Sequence, residues 1–157
     1  MADTAKTLRQ VRRAALERLV ITRVDFEGAG LSVDRDLLEA VGLLPDEKVD
    51  VYDVTSGARF STFVSAAEPG SGEVALTGAD AHLGRPGDLL DVVAWAWLKE
   101  KQARRSITTV VEVDAQNRLA TPPPPAAEPD APTKKDKKAK KKKPRPSAEE
   151  LIRSGSR

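Results

Sequence analysis

The sequence changes character near Ala120, and that break limits what the chain can fold into. Pro122 to Pro125 is a four-proline run, followed by Ala126-Ala127-Glu128-Pro129-Asp130-Ala131-Pro132. A stretch with so little apolar area cannot bury a core, and its prolines favour an extended linker. The ten residues from Lys134 to Lys143 then hold eight lysines, a density at which mutual repulsion predicts disorder. Ser147 with Glu150 makes a capping-box pattern, enough for one helical turn. About 120 residues remain, which is room for a single core.

The break also divides the charge. From Thr121 onward eight Lys and three Arg stand against five acids, a net +6, whereas residues 1–120 carry fifteen basic and nineteen acidic side chains, a net −4. The acidic body does not look like a nucleic-acid-binding fold, so any phosphate affinity belongs to the tail. Lysine tracts without aromatics bind phosphate backbones nonspecifically and with steep salt dependence. Three roles fit the tract: a solvated tail, a tether for nucleic acid or polyphosphate, and a dock for an acidic partner. The absence of cysteine removes disulfides, thiolate metal sites and thiol catalysis. The single histidine, His82, removes sites that need two. No apolar run is long enough for a membrane helix, and the charged first eighteen residues do not resemble a secretory signal. A cytoplasmic protein is expected.

Within the body, short strands alternate with turns. Asp34 is an N-cap candidate ahead of the amphipathic stretch Leu37 to Val41, which Gly42 stops, so a helix is expected there. Val49 to Val54, the turn Thr55-Ser56-Gly57 and Arg59 to Ala66 predict a hairpin. Further strands are expected at Glu73 to Leu76, Leu89 to Trp97 and Thr108 to Val113. Many short strands at close spacing suggest a small closed barrel. Trp95 and Trp97 alternate with Ala94 and Ala96, which places both indoles on one strand face, where packing in the core or at a subunit interface is expected.

The stretch from Val49 through Thr55-Ser56-Gly57-Ala58-Arg59-Phe60-Ser61-Thr62-Phe63 resembles the pyruvoyl-dependent L-aspartate α-decarboxylases. The likeness continues through Ala66-Ala67-Glu68, Gly70-Ser71-Gly72, Gly78-Ala79-Asp80-Ala81-His82-Leu83 and Pro86-Gly87-Asp88, and covers roughly Leu8 to Ala120. It implies a mostly β fold, a six-stranded double-psi β-barrel with short helices, usually assembled as a cytoplasmic homotetramer. The expected division is then an N-terminal extension over 1–7, the barrel over 8–120, a Pro-rich linker over 121–133 and a Lys-rich disordered tail over 134–157. Family members make β-alanine from aspartate for pantothenate and coenzyme A.

The family's chemistry starts at a Gly-Ser bond. The serine hydroxyl attacks the preceding carbonyl, and the resulting ester eliminates to leave an N-terminal pyruvoyl group, which serves as electron sink when the α-carboxylate departs. A tyrosine protonates the carbanion, and an arginine holds a substrate carboxylate. This sequence departs from that pattern. Aligning on Asp34 puts Ala29-Gly30 where Gly-Ser belongs, in a segment one residue short. Glycine has no β-oxygen to attack or eliminate, so no pyruvoyl cofactor is expected. Ser32 is the nearby hydroxyl, but it follows Leu31 rather than a glycine. Phe63 occupies the tyrosine's position. Thr77 replaces an asparagine, Ala15 and Glu17 stand where the family has lysine and histidine, and Asp80 enters the Gly-Ala-Ala-Ala segment whose amides face substrate.

Arg59 and Thr62 are retained, matching the carboxylate clamp and the threonine that assists self-cleavage. Arg59, Thr77, Gly78, Ala79 and Asp80 therefore make up the candidate anion-binding set. Arg59 reads equally as a strand arginine paired with an acid. Thr62 is expected to pack within its strand and His82 to be structural. Three functions fit: a decarboxylase-deficient binding or assembly subunit, alone or with an active paralogue; a working decarboxylase that recruits Ser32 and another proton donor; and a small-anion sensor built on Arg59.

Overall fold

The computed structural model describes residues 7–120. The linker, the lysine tract and the capping-box turn lie outside them. The strands are β1 (Leu8–Val20), β2 (Arg23–Asp25), β3 (Gly30–Asp34), β4 (Lys48–Asp53), β5 (Arg59–Ala67), β6 (Val74–Thr77), β7 (Leu89–Lys99) and β8 (Thr109–Glu112). Helix α1 spans Arg35–Val41, α2 spans Glu100–Ala103, and a single 3₁₀ turn covers Gly78–His82.

The strands follow the order β2-β6-β3-β5-β4-β7-β1-β8. β1 with β8, β2 with β6 and β3 with β5 are parallel pairs, and the remaining neighbours are antiparallel. This mostly β architecture is that of a double-psi β-barrel, with eight strands where six were expected. The strand expected at Thr108 to Val113 is β8, whereas β1, β2 and β3 were not expected, and β2 has only three residues.

One apolar core fills the barrel. Leu16, Leu19, Leu31, Val33, Val49, Val51, Val64, Leu76, Leu90 and Val92 are fully enclosed. Helix α1 closes part of it with Leu37, Leu38 and Val41. Asp34 caps that helix and is itself buried. Its Oδ1 accepts from the backbone N–H of Asp36 and Gly70, and its Oδ2 from that of Gly72 at 2.7 Å. One carboxylate thus fixes the start of α1 and the turn before β6 together. Gly42 ends the helix at φ +68°, donating to the carbonyls of Leu38 and Glu39, the left-handed stop that glycine favours.

The expected hairpin is β4–β5, in antiparallel register from Lys48 opposite Phe63 to Tyr52 opposite Arg59. The tryptophans correct the expectation of a core. Trp97 is 65% exposed and Trp95 36%. β4 pairs with β7 only from Leu90 to Val93, so beyond Val93 the strand is flanked by β1 alone. The two indoles stand opposite Arg12 and Gln10, past the end of the layer that would have covered them.

Candidate functional site

Gly30 opens β3 and is paired across to Thr77 on β6. Thr77 Oγ1 donates to the Gly30 carbonyl at 3.0 Å. Gly30 has φ +88°, and a Cβ built there would lie 2.7 Å from the backbone oxygen of Phe63 and 3.0 Å from its ring. Gly78 starts the 3₁₀ turn at φ +61°, where a Cβ would lie 2.3 Å from the carbonyl oxygen of Gly28. Backbone therefore packs on backbone at both positions, a closeness only glycine permits. Phe63, itself 40% exposed, fills the space beside Gly30 from β5.

The neighbouring Thr62 points the other way on the strand. Its hydroxyl donates to Asp80 Oδ2, which ties β5 to the 3₁₀ turn. Ala79, between Gly78 and Asp80, is exposed. The fold thus brings Gly30, Phe63, Thr77 and Gly78 together and joins Thr62 to Asp80.

Arg59, Ser32, Glu17 and His82 stand apart. Arg59 is four residues up β5 from Phe63, about 13 Å at strand spacing. It is exposed, and its guanidinium lies 5.4 Å from the ring centroid of Tyr52. Among the described residues it makes no ion pair, so its pairing with a neighbouring acid is not what the structure shows. Ser32 donates to Glu73 Oε1 at 2.9 Å, and Glu73 in turn faces Arg23 at 3.3 Å. Glu17 lies 3.6 Å from Arg12, while Asp80 is engaged by Thr62, so the two acids have separate partners. His82 is exposed, with its ring 4.9 Å from that of Phe26.

No serine, threonine or tyrosine oxygen is attached at position 30 or 63. A hydroxyl-driven cleavage at Gly30 lacks its nucleophile, and Phe63 has no proton to give. The donor set and the space at position 30 do not fit a serine-derived pyruvoyl group: the volume that a serine β-carbon would need is held by the Phe63 carbonyl. Among the described residues no group of three His, Cys, Asp or Glu side chains could hold a metal ion.

The chain matches the aspartate decarboxylase family model over residues 7–120. It belongs to that family. It is also 41% identical over 112 residues to Aspartate 1-decarboxylase 1 of Frankia casuarinae, an alignment covering 71% of this chain and 73% of that protein. The matched residues end where the composition changes.

Sequence reasoning missed two polar residues that organise the barrel. Glu73 holds Ser32 and Arg23 together, and nothing in its local pattern marks it. Asp53 is 2% exposed, and its Oδ1 accepts from the N–H groups of Thr55 and Ser56 at 2.8 Å each. The order Asp-x-Thr-Ser-Gly was a legible signal for that turn. An open cavity of about 420 Å³ lies beside it, lined by Thr55, Ser56, His82, Leu83, Gly84, Arg85 and Asp88. None of the candidate anion-binding residues borders it. No helix among the described residues is long and apolar enough to cross a membrane.

Proposed function

We propose that this protein is an aspartate decarboxylase-family barrel that makes no pyruvoyl group and acts as a binding or assembly subunit instead of a decarboxylase. The observation that carries the reading is the packing at Gly30, where a side chain would meet the Phe63 backbone at 2.7 Å. The position is filled by glycine and shaped for glycine. A simple missing hydroxyl could be restored by one substitution, whereas this site has also lost the room for one. Phe63 adds a second, independent deficit, because a phenyl ring cannot return a proton to a carbanion.

On this reading the protein assembles with itself as a homotetramer, or with an active paralogue, in the cytoplasm and within the β-alanine and pantothenate branch. The test is incubation of purified protein with L-aspartate and quantitation of β-alanine by mass spectrometry. No product above that of a catalytically dead control is expected. Sustained β-alanine formation would overturn the reading in favour of an active enzyme that uses Ser32.

One observation favours a second reading, a small-anion sensor. Arg59 presents its guanidinium at the surface, held against Tyr52 and without a carboxylate partner among the described residues. Such a preorganised cation suits a carboxylate or phosphate ligand. The two readings are compatible, since a barrel without chemistry still binds.

A further inference from the structure

The open cavity of about 420 Å³ beside the β4–β5 turn belongs to neither reading above, and its walls are held in place. On one side Asp53 fixes the turn Thr55-Ser56-Gly57. Its Oδ1 accepts from the N–H groups of Thr55 and Ser56, and its carbonyl from that of Gly57 at 2.8 Å. On the other side Arg85 and Asp88 close a second turn. The Arg85 N–H donates to Asp88 Oδ2 at 2.8 Å, and the Asp88 N–H returns to the Arg85 carbonyl at 3.0 Å. Ile21 ties that turn to the barrel, donating to the Asp88 carbonyl and accepting from the Gly87 N–H. Gly84 also lines the cavity. A Cβ there would lie 2.7 Å from Ile21 Cδ1 and 2.8 Å from Leu76 Cδ1, so its backbone rests directly on the core.

The groups left free on these walls carry opposite charge. Among the described residues the Arg85 guanidinium makes no ion pair, not even with Asp88 on its own turn. An Arg and an Asp that line one cavity without pairing leave both a cation and an anion open to a ligand. The hydroxyls add direction. Thr55 Oγ1 already accepts from the Leu89 N–H at 3.0 Å, and Ser56 Oγ from the Ala58 N–H at 3.2 Å. What each has to offer is its O–H, as a donor. Behind Gly84 lies Asp53 Oδ2, 3.8 Å from where a Cβ of that glycine would stand, buried and without a hydrogen-bond partner among the described residues. Two carboxyl groups, those of Asp88 and Asp53, thus stand against one guanidinium. That balance disfavours a doubly charged phosphate and suits a ligand carrying both signs.

We propose that this cavity binds a small zwitterionic amino acid, its carboxylate held by Arg85 with the Thr55 and Ser56 hydroxyls and its ammonium by Asp88. The guanidinium fork matches a carboxylate, and the cavity is of the size that small-molecule sites have. Because the walls are pinned by backbone hydrogen bonds before any ligand arrives, little ordering is left for binding to offset. Arg59, Thr77, Gly78, Ala79 and Asp80 do not line the cavity, so the proposal stands whether or not the barrel decarboxylates aspartate.

The test is ligand-observed NMR titration of the full chain with glycine, β-alanine and γ-aminobutyrate, which differ only in the spacer between their charges. Each is compared with the carboxylate that lacks its ammonium: acetate, propionate and butyrate. At least one amino acid should bind saturably, about tenfold more tightly than its carboxylate counterpart, since a charged hydrogen bond separates the two. Arg85→Gln and Asp88→Asn should each weaken that binding by about tenfold. The second variant keeps an oxygen for the Arg85 N–H, and far-UV circular dichroism checks that both are folded. Saturable binding by none of the three amino acids would overturn the proposal. Equal affinity for the matching carboxylate would also overturn it, by making the site one for plain anions. So would binding that survives either variant, and binding lost in Arg59→Ala but not in Arg85→Gln would place the ligand at Arg59 instead.

Discussion

Replacing Gly30 by Ser restores the missing hydroxyl on paper, and the structure predicts that it breaks the barrel instead. Two costs apply. A non-glycine residue held at φ +88° costs on the order of 1–3 kcal/mol. The new Cβ must also clear the Phe63 carbonyl at 2.7 Å. That oxygen belongs to β5, which is fixed on one side by β4 and on the other by β3, so relief requires moving paired backbone, about 1–3 kcal/mol more by analogy with overpacked cores. The sum, about 2–6 kcal/mol, is a large part of the ~5–15 kcal/mol that holds a domain folded. At roughly 3–6 °C per kcal/mol for a domain of this size, the melting midpoint should fall by about 6–36 °C.

Gly57 supplies the control. It has φ +80°, and a Cβ built there meets nothing within 4 Å, so Gly57→Ser incurs the backbone cost alone. Thermal unfolding of the two variants by circular dichroism isolates the steric part at Gly30, and the same preparations are assayed for β-alanine from L-aspartate. The predicted order is wild type, then Gly57→Ser, then Gly30→Ser, with no product from any. A Gly30→Ser variant as stable as Gly57→Ser would refute the argument about space. A Gly30→Ser variant that makes β-alanine would refute the argument about Phe63.

Asp53 Oδ2 is buried with no hydrogen-bond partner among the described residues, so Asp53→Asn, which keeps the Oδ1 cap, should melt closer to wild type than Asp53→Ala. Asp53→Ala, which orphans two N–H groups, should cost about 1–3 kcal/mol; the two melting curves check both. The Arg9 guanidinium beside Glu100 holds its carboxyl below the usual carboxylate range, with Arg104 contributing. Carboxyl NMR should therefore show Glu100 titrating below the ordinary glutamate value. Because the folded pKa is depressed, its contribution to stability is present above the unfolded value and is lost as pH falls through the folded one. Deleting residues 121–157 should leave the melting of the barrel unchanged and abolish binding to unrelated DNA duplexes. The full chain's binding should weaken with salt by about 0.9 log units per log unit for each phosphate neutralised. Equal binding by the truncated form would show that the body carries the affinity.

The parts of the fold legible in the sequence were those with local chemical punctuation. Asp34 and Gly42 bracket α1 as a cap and a left-handed stop, and Thr55-Ser56-Gly57 turns the β4–β5 hairpin at the expected place. β1 was not legible. Leu8–Val20 is rich in Arg, Leu and Ala, carries no alternation, and becomes a strand because β7 and β8 pair with it on both sides; tertiary pairing overrides local propensity there. The tryptophans misled for a related reason, since periodicity placed them on one face but could not show that β4 stops short of covering it.

At the site, the missing oxygens at positions 30 and 63 were visible from residue type alone. The positive φ at Gly30 and the nearness of the Phe63 carbonyl were not, because they depend on β3 and β5 meeting across 33 residues of sequence. The Thr62–Asp80 bond, and the absence of an ion pair to Arg59 among the described residues, were hidden for the same reason.

A barrel that does not cut itself stays a single chain, and intact-mass spectrometry of the purified protein reads this out. One uncleaved polypeptide of about 16.9 kDa, unlabelled by hydroxylamine, is expected. Two fragments parted between Gly28 and Ser32, the larger carrying a carbonyl that hydroxylamine labels, would contradict it.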